Sequence, residues 1–166
     1  MNEVDRQLTR ALELSASGLL AYLERRVGAD DAPDLLGETM VVAWRRAREL
    51  PEEPEAARMW LFGIARGTLL NHARGQRRRW ALADRLRLQV RESATAPAAD
   101  AGSEVRDAID RLDPVLAELV KLVHWERLSL SDSADLLGIP ASTARSRYQR
   151  AKEQLRAALS VEAPLP

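Results

Sequence analysis

Apolar residues recur along this chain at intervals of three and four and almost nowhere alternate with polar ones. That period predicts helices and no sheet. Leu8, Leu12, Leu19, Leu23 and Val27 place a helix over residues 4–27, and Gly28 can stop it. A second helix is expected after Asp30 and Asp31. Pro33 falls in its first turn, where a missing N–H does little harm. Leu36, Met40, Ala43 and Ala47 form its apolar stripe. The stretch LPEEP at 50–54 breaks the pattern. A third helix then runs from near Ala56 to about Arg79, and a further helical stretch reaches toward Arg91.

Residues 92–103, ESATAPAADAGS, contain no large apolar side chain and read as a flexible linker. They separate a domain over residues 1–91 from one over residues 104–160. The second domain is expected to hold four short helices. One spans about 104–111. The next is capped by Asp113, with Pro114 in its first turn and Val115, Leu119, Leu122 and Val123 along it. A short helix over 132–137 ends in the tight turn Gly138-Ile139-Pro140, and a last helix runs over 141–159. The fold class is therefore all-α: two small helical domains on a flexible linker, the C-terminal one a helix-turn-helix.

Composition narrows the chemistry. The 166 residues are 46 % hydrophobic and 30 % charged, as in a globular protein. There is no cysteine, and the only histidines, His72 and His124, lie in different segments. Disulfide scaffolds, thiol nucleophiles and cysteine-ligated metals are excluded, and no metal site, cofactor or enzymatic activity is expected. The carboxylates Asp107, Asp110 and Asp113 have no companion base. The N-terminus lacks the apolar core of a signal peptide, and no membrane span is expected. We expect a cytoplasmic protein with no further domain after residue 160.

The net charge is zero, but the charges are segregated. Residues 58–91 carry nine arginines against one aspartate, and residues 141–160 five basic groups against one glutamate. Acidic stretches flank both. Two separated basic blocks mark two places where phosphates can be met, against the alternative of two solvated helix faces. On the last helix, Ala144, Tyr148, Ala151, Leu155 and Leu159 share one face. Ser142, Arg145, Ser146, Gln149 and Arg150 lie away from it, and Arg147 falls about 70° from its centre. Arginine can read guanine in a fork, glutamine can read adenine, and serine can hold phosphate.

The stretch LSLSDSADLLGIPASTARSRYQRAKEQL at 128–155 resembles the −35-reading domain of bacterial extracytoplasmic-function (ECF) sigma factors. The pattern is L-S-x-x-E-I-A-x-x-L-G-I-S-x-G-T-V-K-S-R-x-x-R-A. Leu128, Ser129, Ala134, Leu137, Gly138, Ile139, Thr143, Ser146, Arg147, Arg150 and Ala151 match it. Arg145 takes a lysine position, Pro140 replaces the helix-capping serine, and Ser142 replaces a frequent glycine. Response-regulator output domains of the LuxR type share this logic, so this half alone leaves a free-standing helix-turn-helix regulator open.

The N-terminal half separates the two. DLLGETMVVAWR at 34–45 resembles the family's D-L-x-Q-E-T-F-x-x-A-W-R, with Gly37 in place of glutamine. The resemblance implies docking on the β′ coiled coil of core RNA polymerase by Asp34, Leu35, Glu38, Thr39 and Arg45, with Met40 in the core. WLFGIARG at 60–67 and NHAR at 71–74 resemble the element that melts and reads the −10 region. The residues implied there are Trp60, Arg66, Asn71, Arg74, Arg77 and Arg78, while His72 falls on the buried side. Those implied at the −35 region are Ser142, Thr143, Arg145, Ser146, Arg147, Gln149 and Arg150. The loop over 49–57, ELPEEPEAA, stands where the family forms a base pocket, yet it is acidic and has no aromatic residue. A pocket there would use backbone and Trp60, or its specificity would be unusual.

The resemblance spans about residues 10–160. It implies a promoter-specificity subunit. The implied partners are core RNA polymerase, through the β′ coiled coil and the β flap, and promoter DNA. An anti-sigma factor is also implied, one that would cover Met40, Trp44 or their neighbours and part of the last helix.

Overall fold

The structure is a computed structural model. It describes residues 3–86 and 103–161, and among these it contains seven α-helices, one 3-10 turn and no strand. The chain parts into two compact units, Met1–Glu92 and Ser93–Pro166. The linker read over 92–103 lies outside the described residues except for Ser103, which begins a helix. The stretch toward Arg91 also lies outside them beyond Leu86.

The first unit contains α1 (Glu3–Val27), α2 (Ala32–Arg45), a 3-10 turn (Ala47–Glu49) and α3 (Pro54–Leu86), each helix packed on the other two. Gly28 ends α1 at φ +87°, a left-handed conformation that side-chain-bearing residues rarely adopt. The core is built from Leu8, Leu19, Tyr22 and Leu23 of α1, Leu35 of α2, and Leu61, Phe62 and Ala65 of α3. The Tyr22 and Phe62 rings meet edge to face, with centroids 5.4 Å apart.

The bounds of the third helix differ from the sequence reading at both ends, and the short helix expected over 132–137 starts two residues early, at Leu130. The helix α3 starts at Pro54, two residues early, because Glu53 caps it: its carboxylate accepts from the Ala56 N–H at 2.7 Å and its carbonyl from Ala57 at 2.9 Å. Proline at the first helical position suits that start. The same helix passes Arg79 without a break, since no proline interrupts it and Gly75 is tolerated in a helix interior. The buried face of α2 also differs. It is Ala32, Leu35, Thr39 and Ala43, while Leu36 and Met40 are only half-buried.

The second unit contains α4 (Ser103–Asp110), α5 (Pro114–His124), α6 (Leu130–Leu137) and α7 (Ala141–Val161). Asp113 caps α5 by accepting from the Val115 N–H at 2.9 Å. Ser129 caps α6, its hydroxyl accepting from the Asp132 N–H at 3.0 Å. Gly138 ends α6 at φ 66°. The Ile139 N–H returns to Ala134 and the Gly138 N–H to Asp135, so the turn satisfies two of the last carbonyls. Ile109, Leu112, Leu116, Ala117 and Val120 pack against Ala151, and Leu119 and Ala134 pack against Ala144. Tyr148 joins both clusters from α7.

Candidate nucleic-acid interface

Three surfaces carry the residues singled out by the sequence. The first is the outer face of α2. Asp34, Glu38, Val41 and Arg45 follow one another at four-, three- and four-residue steps and are all exposed. Val41 and Trp44 are half in solvent, at 50 % and 49 %. The structure thus brings Asp34, Glu38 and Arg45 onto one face and adds Val41, which the sequence reading did not place there; Trp44, which it expected a partner to cover, is exposed as well. Counting in helical steps from Asp34 would have found Val41. Gly37 is exposed beside them, with nothing within 4 Å of where its Cβ would stand.

Leu35 and Thr39 are not on that face. They are 1 % and 0 % exposed and point into the core. The Thr39 hydroxyl donates to the Leu35 carbonyl at 2.7 Å, which lets a polar side chain sit there without loss. Their motif positions are therefore packing positions, about 100° (Leu35) and about 140° (Thr39) around the helix from Asp34.

The second surface is the outer face of α3. Asn71, Arg74, Arg77 and Arg78 are exposed and line one open, shallow depression. The Arg74 guanidinium donates to the Asn71 side-chain Oδ1 at 2.5 Å. Arg66 and Trp60 are half-buried on the same helix. The Arg46 guanidinium lies 5.9 Å from the centre of the Trp60 ring. His72 is half-buried, 3.3 Å from the Gln76 amide and 3.8 Å from the Asp31 carboxylate, both within its own unit.

The loop before α3 closes against α1 around a groove of about 450 Å³, lined by Arg10, Leu14, Leu50, Pro51, Glu52 and Pro54 among others. No aromatic residue lines it, and Trp60 is not part of it. In the turn leading to the loop, the hydrogen bond from Arg46 holds the Glu49 carboxyl below the ordinary glutamate value.

The third surface is α7. Ser142, Arg145, Ser146, Gln149 and Arg150 are exposed, and Thr143 and Arg147 are half-buried at the edges. Ala144 and Ala151, both 0 % exposed, hold the opposite face to the rest of the unit. The Tyr148 hydroxyl lies 2.8 Å from the His124 ring nitrogen of α5, and the two rings stack. Leu159, expected on the buried face, is 36 % exposed because the helix outruns its partners. Pro140 begins α7 with its carbonyl, which accepts from the Ala144 N–H at 3.0 Å, but it has no side chain that could cap the first turn.

Among the described residues no group of His, Asp and Glu side chains could hold a metal ion, and no helix is long and apolar enough to cross a membrane.

Residues 14–79 match the model of sigma-70 region 2, and residues 103–155 that of sigma-70 region 4. The chain is 30 % identical over 146 residues to the ECF RNA polymerase sigma-E factor of Haemophilus influenzae, covering 80 % of this chain and 77 % of that one. It is 28 % identical over 157 residues to the ECF RNA polymerase sigma factor SigL of Mycobacterium tuberculosis, covering 92 % and 89 %. Among solved structures, the fold is shared with the sigma factor RpoE of Bartonella quintana, determined in complex with the anti-sigma factor NepR. The TM-score is 0.70, at 24 % identity and 93 % and 98 % coverage. It is also shared with CnrH in complex with the cytosolic domain of CnrY, with a TM-score of 0.66, at 22 % identity and 96 % and 91 % coverage. Region 2 accounts for the first unit, which a free-standing helix-turn-helix regulator would not contain. The two regions in this order, and the relatives they align with, place the chain in the ECF family of RNA polymerase sigma factors, the regulatory subunits that recognise promoters.

Proposed function

We propose that the outer face of α2 docks on core RNA polymerase, that α3 engages and opens the −10 region, and that α7 reads the −35 region. The observation that carries the DNA half is the outer face of α7. Arg145, Gln149 and Arg150 are exposed together on a helix whose other face is pinned by two buried alanines. A helix fits the major groove, and these side chains match the hydrogen-bonding edges of guanine and adenine there. Ser142, Thr143, Ser146 and Arg147 stand where phosphates flank such a helix. On α3, Arg66, Arg74, Arg77 and Arg78 supply counter-charge for a DNA backbone, Asn71 adds a neutral hydrogen-bonding amide beside them, and Trp60 lies toward the start of the same helix.

Docking through α2 is supported by charged Asp34, Glu38 and Arg45 surrounding apolar Val41 and Trp44, the make-up of an interface core and rim. We expect core RNA polymerase to cover this face by its β′ coiled coil, with the β flap as the contact of the second unit. One structural neighbour was determined with an anti-sigma factor, and we expect a partner of that kind to compete for the α2 face of this chain. Its interface should bury at least about 1,600 Å².

Run-off transcription with purified core polymerase on genomic fragments tests the reading. Discrete start sites that require this chain are expected. Tight binding to a palindromic site by the chain alone, with no effect on core polymerase, would overturn it. The double variant Asp34→Arg, Glu38→Arg should lose co-purification with core polymerase while keeping its helicity.

A further inference from the structure

The arginine face of α3 contains one large apolar side chain that the sequence patterns leave without a role. Leu70 is 45 % exposed. The buried residues of this helix, Ala57, Leu61, Phe62, Ile64, Ala65 and Thr68, lie on the opposite side of its circumference. Leu70 therefore belongs to no core. Its neighbours on the helix surface are Arg66 one turn before, Arg74 one turn after and Arg77 two turns after, all within about 40° of it around the axis. Gly63 and Gly67 precede it by seven and three residues on the same side of the helix, and a Cβ at either would meet nothing within 4 Å. Over residues 54–79 of this helix Leu70 is the one exposed large hydrophobic side chain, and the glycines leave room beside it for a DNA backbone.

We infer that Leu70 is the wedge of this face: it enters the base stack of the −10 DNA and stabilises the separated strands while the arginines hold the phosphates. The occupant follows from charge complementarity. An apolar partner protein would leave Arg66, Arg74 and Arg77 facing it uncompensated, whereas DNA satisfies the arginines with phosphates and Leu70 with base faces. Leucine is among the side chains that proteins insert between base steps, and unstacking a step is the part of the process that an arginine alone does not favour. The inference rests on the proposed −10 role of α3. It adds a division of labour: cations for affinity, one leucine for opening.

The test uses the full chain with core polymerase on two templates. One is a duplex promoter fragment obtained by run-off transcription, and the other is the same fragment with its −10 segment mismatched, so that it is already open. Leu70→Ala should lower permanganate-detected opening of the duplex about tenfold, from the loss of the apolar wedge between base steps. On the mismatched template it should remain within about twofold of the parent. Leu70→Met should restore duplex opening. Circular dichroism and co-purification with core polymerase should be unchanged, since the side chain packs against no core. Equal loss on both templates, no loss on either, or weakened co-purification would overturn the inference. The underlying reading fails separately: Arg74→Ala with Arg77→Ala would then leave promoter binding intact on both templates.

Discussion

Both units carry arginines on the outer face of their longest helix, but they hold that helix in different ways. In the first unit three helices of 25, 14 and 33 residues surround large, fully buried side chains: Leu8, Leu19, Tyr22, Leu23, Leu35, Leu61 and Phe62. In the second, three of the four helices have 8 to 11 residues, and Leu119 and Leu122 are its large side chains of comparable burial. There the recognition helix is held by small residues, Ala144 and Ala151, which permit close approach, and by backbone turns at Ser129 and Gly138. Side-chain volume orients the first basic face. Turn geometry orients the second.

That contrast sets the order of expected effects. The largest comes from emptying the first core. Phe62 is 1 % exposed and packs on Tyr22, so Phe62→Ala should cost about 3–5 kcal/mol. Urea unfolding followed by circular dichroism should then show the first unit melting early while the second keeps its own transition. A single shared transition would break the division into independent units.

Arg145→Ala ranks next, with about 1–3 kcal/mol lost at the promoter and preference relaxed at one or two −35 positions. Arg150→Ala should weaken binding more evenly, as the loss of a phosphate contact would. Selection of promoter variants by the holoenzyme distinguishes the two outcomes. A uniform effect from Arg145→Ala would remove it as a base reader.

Gly138→Val probes the turn directly. Valine at φ 66° is strained and should cost about 1–2 kcal/mol, felt only in the second unit. Thermal melts of the full chain should show that selectivity, with −35 binding reduced and co-purification with core polymerase retained.

The smallest effect is expected at the Arg46–Glu49 pair, which lies in solvent and is 2.5 Å apart. The folded state holds Glu49 low, so any contribution is present above the ordinary glutamate pKa and fades as pH falls through the lowered value. Solvent and salt screen such a pair. Glu49→Gln should leave the melting temperature unchanged near neutral pH. A loss of several degrees would show that the first unit too depends on a turn.

Local signals were legible in the chain. The helical period, the proline starts at 33 and 114, the Asp113 cap and the Gly138 stop all depend on residues within one or two turns of each other, and the structure follows them. The family motifs were equally legible, because each is a run of neighbours. The exposed residues of α7 were found by period alone, since that helix has a single narrow apolar stripe. The length of α3 was less legible. Between Asn71 and Arg79 the one apolar side chain is Ala73, so no stripe carries the helix through that stretch.

What the tertiary structure alone decided is which side of α2 faces inward. On α2 apolar residues occur all round, at Leu35, Leu36, Met40, Val41, Val42 and Trp44, so periodicity permits more than one buried face. The packing of α1 and α3 chose Leu35 and Thr39 for the core and left Val41 and Trp44 outside. The same choice on α3 set Leu70 among the arginines. A sequence records which residues are apolar. Burial belongs to pairs of surfaces, and the second surface comes from elsewhere in the chain.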